Sequence, residues 1–409
     1  MNRQASNIIL PLIKNLNQKD FKGYDPYDIK AHPFLLKIIK WGNKAYPFEI
    51  LREIILEAIY HFPKSARSFF NIQPTHNSKA LGLMGTACVE LSMLDEMDTK
   101  SLSTIQRRID ELLEKYKTGT SNGKGMGWGY PFDWQSRELI PAQTPNGIVT
   151  TAVGEYFWTQ YKITTDKTFL KKCEQICHFL FSLPVDKYTD AKYCFSYVPH
   201  FQNHVHNLNL FVADFLIKTG IEVENNEWIE SGHKALNYTI ADQLENGAFD
   251  YNGPPEKPKN FIDNYHTGFV LRMLGSCYHY TQREDVKGAL IKGLSFYLDN
   301  FFTSEGAPKL KPDKLYRIDI HSAAEAINSL VFLANYNEKA LPVAEKVLKW
   351  TLNNLYDPNE NDFFYAISKS RFTRKTYRSE IKYIRWSQAW MVRALSRYVL
   401  YSEENKIII

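Results

Sequence analysis

The chain has 409 residues, 44% of them apolar and 23% charged, a balance that excludes wholesale disorder. Fifty Lys and Arg against 45 Asp and Glu leave a net charge of +5, too small to argue for nucleic acid. Five cysteines, an odd and sparse set, exclude a disulfide scaffold, and Cys173 and Cys177 have no second Cys/His pair at zinc-finger spacing.

The first residues, Met1 to Leu16, lack the basic start, long apolar run and small-residue cleavage site of a secretory leader. The longest apolar run, Ala80 to Val89, stops at Glu90, far short of a membrane span. These features lead us to expect a cytoplasmic protein, with contact at a membrane surface left open. Residues 1–46, with the irregular Gly23-Tyr24-Asp25-Pro26-Tyr27-Asp28 stretch, are expected to form an N-terminal cap.

From there a repeat of helix pairs sets in. Six apolar helices rich in small residues are predicted to begin near Asn77, Asn146, His206, His266, His321 and Trp386, at spacings of 69, 60, 60, 55 and 65 residues. Amphipathic helices with one charged face alternate with them, near Phe48–His61, Ser101–Tyr116, Lys167–Leu183, Glu227–Gln243, Arg283–Phe302 and Ala340–Leu355. A near-constant spacing of two alternating helix classes is the pattern of an all-α toroid of six helix hairpins, an (α/α)6 barrel over 47–409. Its inner helices touch both the axis and the outer ring and are apolar nearly all round. Gly82, Gly85 and Ala87 would let neighbouring helices approach closely. An aromatic-x-Tyr triplet precedes four inner helices (Trp128–Tyr130, Phe195–Tyr197, Phe249–Tyr251, Phe363–Tyr365) and reads as short β elements in rim loops.

In such a barrel the loops entering the inner helices all lie at one end, so their contents converge. Six of the eleven histidines fall there: His76, His200, His204, His206, His266 and His321. A helix N-terminus disfavours imidazolium, leaving neutral rings able to act as bases. Asp263 and Asp319 stand just before His266 and His321, either to fix the imidazole tautomer or to cap the helix. Asp133 and Glu380 are further rim carboxylates. The loop from Gly127 puts Trp128, Tyr130, Phe132 and Trp134 within seven residues. Trp128 is expected to be structural and Trp134 more exposed, and aromatic faces of this kind stack on sugar rings. Ser368 to Trp386 holds seven Lys and Arg against Glu380 alone, and guanidinium forks suit carboxylate or phosphate. No phosphate-binding loop, dinucleotide fingerprint, GxSxG or HExxH is present, so no cofactor or metal is expected.

Six hairpins with His, Asp and aromatics on the rim resemble the carbohydrate-active toroids: glycoside hydrolases, unsaturated glucuronyl hydrolases, polysaccharide lyases and N-acylglucosamine 2-epimerases. GWGYPFDWQ (Gly127–Gln135), FIDNYHTGFVL (Phe261–Leu271) and GYDPYD (Gly23–Asp28) resemble a bacterial group associated with surface-polysaccharide biosynthesis. His321 and Glu325 echo an epimerase helix at a different spacing, and the glucuronyl hydrolase aspartates have no counterpart. The resemblance implies a lyase, epimerase or hydrolase acting on a glycan or lipid-linked sugar, with an anionic substituent expected from the basic stretch. The expected catalytic set is His266, His321, Asp263, Asp319 and Glu380. Trp128, Tyr130, Asp133, Trp134, His204, His206, Tyr251, Arg371, Arg378 and Arg385 are expected to hold the sugar. The alternatives are a non-catalytic glycan- or partner-binding toroid and a prenyl-type toroid enzyme. The latter would carry a DxDD acid motif, which the chain lacks.

Overall fold

The computed structural model describes residues 2–95, 97–119, 123–136, 138–255, 261–370, 374–405 and 407–409. Six helices form a closed inner ring: α5 (Ser78–Leu91), α7 (Gly147–Thr164), α9 (His206–Glu222), α11 (Asn264–Thr281), α13 (Ile320–Phe332) and α15 (Trp390–Glu404). Each touches the next, and α15 returns to α5. Outside them lie α6 (Thr99–Tyr116), α8 (Lys167–Phe181), α10 (Asn226–Ala241), α12 (Glu284–Asn300) and α14 (Ala340–Asn354), each packed on the inner helix before it. The protein is an all-α (α/α)6 toroid.

Burial follows the expected division. Every residue of α5 is buried, whereas α6 buries only Leu102, Ile105, Ile109, Leu112 and Leu113, at i, i+3, i+7, i+10 and i+11. A Cβ on Gly82 would lie 2.6 Å from the Ala152 carbonyl of α7, so only glycine allows that approach.

The sixth outer helix is not where the pattern put it. α1 (Asn2–Gln18) packs on α15, with Ala5, Ile8, Ile9, Leu12, Ile13 and Leu16 buried in the main core. The segment expected as the first outer helix is α3 (Tyr46–His61), which buries no residue at all. With α2 (Pro33–Gly42) and α4 (Pro63–Phe69) it builds a lobe on the rim, around the small cluster Ile29, Leu35 and Ile38. A division at residue 46 therefore separates α2 from α3, which pack together, and leaves α1 outside the ring that it completes.

Three of the four aromatic-x-Tyr triplets share a backbone role, while in the fourth the Tyr130 carbonyl accepts the Gln143 N–H of its own loop. The carbonyl of Tyr197 accepts the N–H of Gly147, that of Tyr251 the N–H of His206, and that of Tyr365 the N–H of Ile320. Each of these three rim loops thus satisfies a free N–H at the start of the preceding inner helix. The fifth repeat lacks the triplet, and there the Leu310 carbonyl binds Asn264. The leading aromatics, Trp128, Phe195, Phe249 and Phe363, are all buried.

Candidate functional site

At the N-terminal end of the inner helices a cavity of about 460 Å³ opens. Tyr130, Tyr197 and Tyr251 come to it from three successive rim loops, joined by Trp134, Tyr27, Tyr265 and Trp386. Its polar groups are His266, His321, Lys79, Arg385, Ser136 and three asparagines, Asn203, Asn207 and Asn252. Among the described residues lining it there is no Asp or Glu.

Asp263 is the N-cap of α11 and accepts the backbone N–H of His266 at 3.0 Å. Its carboxylate also lies 2.8 and 2.9 Å from His266 Nδ1. A capping aspartate fixed in this way holds the ring with Nδ1 protonated, which leaves Nε2 as the basic nitrogen. Nε2 has no partner among the described residues. Both readings of Asp263 hold at once, cap and orienter.

Asp319 behaves differently. It caps α13 through the N–H of His321 at 2.8 Å, but its remaining capacity goes to the Trp386 indole at 3.0 and 3.2 Å and to the Tyr365 hydroxyl. It makes no hydrogen bond to the His321 ring and does not orient it. Burial pushes its carboxyl up to about 6, against the opposing pull of those N–H groups. His321 is 2% exposed, and neither ring nitrogen has a hydrogen-bond partner. It stacks on Tyr265 at 4.5 Å and 9° and meets Trp386 edge-on at 4.6 Å. Burial, then the nearby Lys79 and Arg385 charges, hold the ring well below the usual histidine range, so it is neutral. Tyr265 lies between the two histidines, 4.4 Å from His266 on its other side.

Positive charge reaches the cavity from two residues. Arg385 is buried and forks onto Asp25 at 2.6 and 2.8 Å, while lying 5.0 Å from the Tyr130 ring and 4.9 Å from that of Trp386. Lys79, in the first turn of α5, is 5% exposed and forms no ion pair or side-chain hydrogen bond among the described residues. Its ammonium rests 5.2 Å from Trp390 and 5.6 Å from Phe269. Burial, aided by Arg385, brings it down to about 7.

The cavity collects six of the expected residues: Tyr130, Trp134, Tyr251, His266, His321 and Arg385. Asp263 and Asp319 stand behind it. The others lie elsewhere. Trp128 fills the wall and donates its indole N–H to the Leu113 carbonyl at 2.8 Å. Asp133 accepts the Ala142 N–H at 2.7 Å and closes its own loop. His204 pairs with Asp186 at 2.9 Å. His206 pairs with Asp242 at 3.0 Å and meets Thr239 at 3.3 Å, tying α9 to the end of α10. His76 binds the Asp20 carbonyl at 2.8 Å and Tyr116 at 2.9 Å, and His200 is exposed. Glu380 is exposed, in a separate cleft of about 600 Å³ beside the end of α1. Arg378 is exposed against Phe364, and Arg371 lies outside the described residues. Asp25, Tyr27, Lys79 and Tyr265 were not among the expected site residues. For Lys79 a signal existed: it is a lone cation near the start of an otherwise apolar helix.

No protein-family model and no curated protein matches the sequence. Solved structures do match in fold. A sugar epimerase from a ruminal bacterium superposes with a TM-score of 0.61 at 11% identity, over 80% of this chain and 88% of that one. A family 76 α-mannanase of Bacteroides thetaiotaomicron gives 0.59 at 12% identity, over 80% and 86%. An unsaturated glucuronyl hydrolase specific for heparin gives 0.55 at 13% identity, over 80% and 86%. The likeness is one of architecture.

Proposed function

We propose that this chain is a carbohydrate-active enzyme that moves a proton at a sugar C–H, as a lyase or epimerase does, within surface-polysaccharide metabolism in the bacterial cytoplasm. The observation that carries this reading is the His266–Asp263 pair facing an aromatic cavity whose described lining holds no carboxylate. Hydrolysis by the usual route needs two carboxyl groups flanking the glycosidic bond. Proton abstraction needs a base, a means of holding the charge that develops, and a dry pocket. His266 Nε2 is the base. Lys79 and Arg385 supply positive charge beside the oxygen on which charge gathers, with neutral His321 packed behind them. Lys79 and Arg385 favour a sugar carrying a carboxylate, and Tyr251 and Trp134 supply ring faces for it.

The test is solvent exchange. Glucuronate- and galacturonate-ended oligosaccharides, with cellobiose and mannobiose as neutral counterparts, are incubated with the enzyme in D2O and followed by NMR. Deuterium entering a sugar C–H position, or an unsaturated product, is expected with the uronates and is lost in His266→Ala. Release of reducing ends with neither deuterium incorporation nor an unsaturated product would identify a hydrolase and end this reading.

A further inference from the structure

The rim lobe concentrates apolar surface. Of sixteen large hydrophobic side chains exposed among the described residues, nine lie between residues 34 and 69. α3 carries aliphatic residues on two faces: Ile55 and Ile59 pack on the lobe's small core, while Leu51 and Ile54 point outward at 43% and 62% exposure. A helix apolar on both sides is ordinarily covered on both.

Charge indicates what covers it. Residues 29–69 hold seven Lys and Arg against three Glu, most of the chain's net charge of +5. The glutamates are spoken for: Glu49 and Glu53 by Arg52, Glu57 by His61. Lys37, Lys40, Lys44 and Lys64 are exposed and form no ion pair among the described residues. Along α2 and just past its end, Phe34, Lys37, Trp41 and Lys44 recur at i, i+3, i+7 and i+10, all exposed on one side. Aromatics interleaved with lysine are the composition of a helix lying in a membrane interface. No described helix is long and apolar enough to cross a bilayer. A second copy of the chain on this face would set unpaired lysines against their own equivalents, because a two-fold interface is self-complementary.

We propose that the lobe formed by α2, α3 and α4 docks on an anionic lipid bilayer, with the apolar face of α3 and Trp41 in the interface and the α2 lysines on the headgroups. α2 packs on the Trp134–Gln135 strand, and Trp134 lines the cavity, so docking brings the cavity mouth near the headgroup layer. This inference stands apart from the proposed chemistry, since it rests on the lobe alone.

The experiment is co-sedimentation of the full chain with vesicles of phosphatidylcholine alone and of phosphatidylcholine mixed with phosphatidylglycerol. Binding to the mixed vesicles is expected, weakening with salt and by roughly fivefold for each lysine removed in Lys37→Gln/Lys40→Gln/Lys44→Gln. Trp41→Ser/Ile54→Ser should also lose binding, with an unchanged circular-dichroism melt for both variants because every altered side chain is exposed. Failure to sediment, equal binding to both vesicle types, or binding that neither variant reduces overturns the proposal. So does a lipid-free dimer in light scattering that these variants dissociate.

Discussion

The carbonyl of Tyr24 accepts the backbone N–H of Ile384 at 2.9 Å, joining the segment after α1 to the π-helical stretch Ile384–Ala389 that runs into the last inner helix. It is the same bond that Tyr197, Tyr251 and Tyr365 make one hairpin back, so Gly23–Tyr24 is the rim loop of the hairpin formed by α1 and α5. The ring closes here, and the contact is tight. A Cβ on Gly23 would lie 2.6 Å from Ile384 Cβ. Gly23→Ala is expected to cost about 1–3 kcal/mol, a lower melting temperature with unchanged secondary structure. Gly288→Ala, on the exposed side of α12 with nothing within 4 Å, should instead stabilise by about 1 kcal/mol.

Most of this architecture is legible in the sequence because the inner helices are apolar all round and recur at near-constant spacing. The exception is instructive. α1 carries its apolar residues at 5, 8, 9, 12, 13 and 16, a proper outer-helix stripe, whereas α3 has a comparable pattern and buries nothing. Periodicity reports that a helix has an apolar face and is silent about what meets it. The same limit applies to the site. Convergence on the rim was legible, and Asp263 marked His266 locally, but nothing near His204 and His206 announced that Asp186 and Asp242 lie across from them. Those partners are 18 and 36 residues away, beyond any local motif.

Asp25 and Arg385 are both buried, 360 positions apart, and paired through two nitrogens. Removing one partner of a buried pair leaves the other charge without compensation. Asp25→Asn is expected to lose about 3–5 kcal/mol in denaturant unfolding, and to free the Arg385 fork in the cavity. If the midpoint does not move, Arg385 has another partner when Asp25 is neutral, and the pairing is not what holds it.

Asp263 and Asp319 occupy equivalent caps yet should respond differently to substitution by asparagine. Asp263→Asn keeps the cap but no longer fixes the His266 tautomer, so kcat should fall by about 10²–10⁴ with melting nearly unchanged. Asp319→Asn should leave kcat closer to wild type and show its effect in stability. The Asp319 carboxyl is raised to about 6 in the fold, so burying its charge costs stability above that pH and nothing below about 4. The melting difference between Asp319→Asn and wild type should therefore move in the variant's favour from pH 4 to pH 6. A flat difference would show that Asp319 is not burdened by its charge.

Lys79 is the residue whose burial most needs a functional reason. It stands in a buried helix and has no ion-pair partner among the described residues, with Glu325 and Asp25 acting on it only at a distance. A lysine lowered from 10.5 to about 7 destabilises the fold in its charged form. Below pH 7 it is protonated in both folded and unfolded chains and the full cost is present. Between 7 and 10.5 the folded chain sheds the proton first and the cost fades. Lys79→Met should thus melt higher than wild type, by on the order of 3–5 kcal/mol at pH 6, with the gain shrinking toward pH 10. The same substitution should raise KM for a uronate substrate while leaving that for its neutral counterpart unaffected, because only the carboxylate loses its partner. A variant that melts lower at pH 6 would mean that the ammonium is stabilised by water or an ion in the cavity, and the argument that Lys79 is kept for a ligand would fail with it.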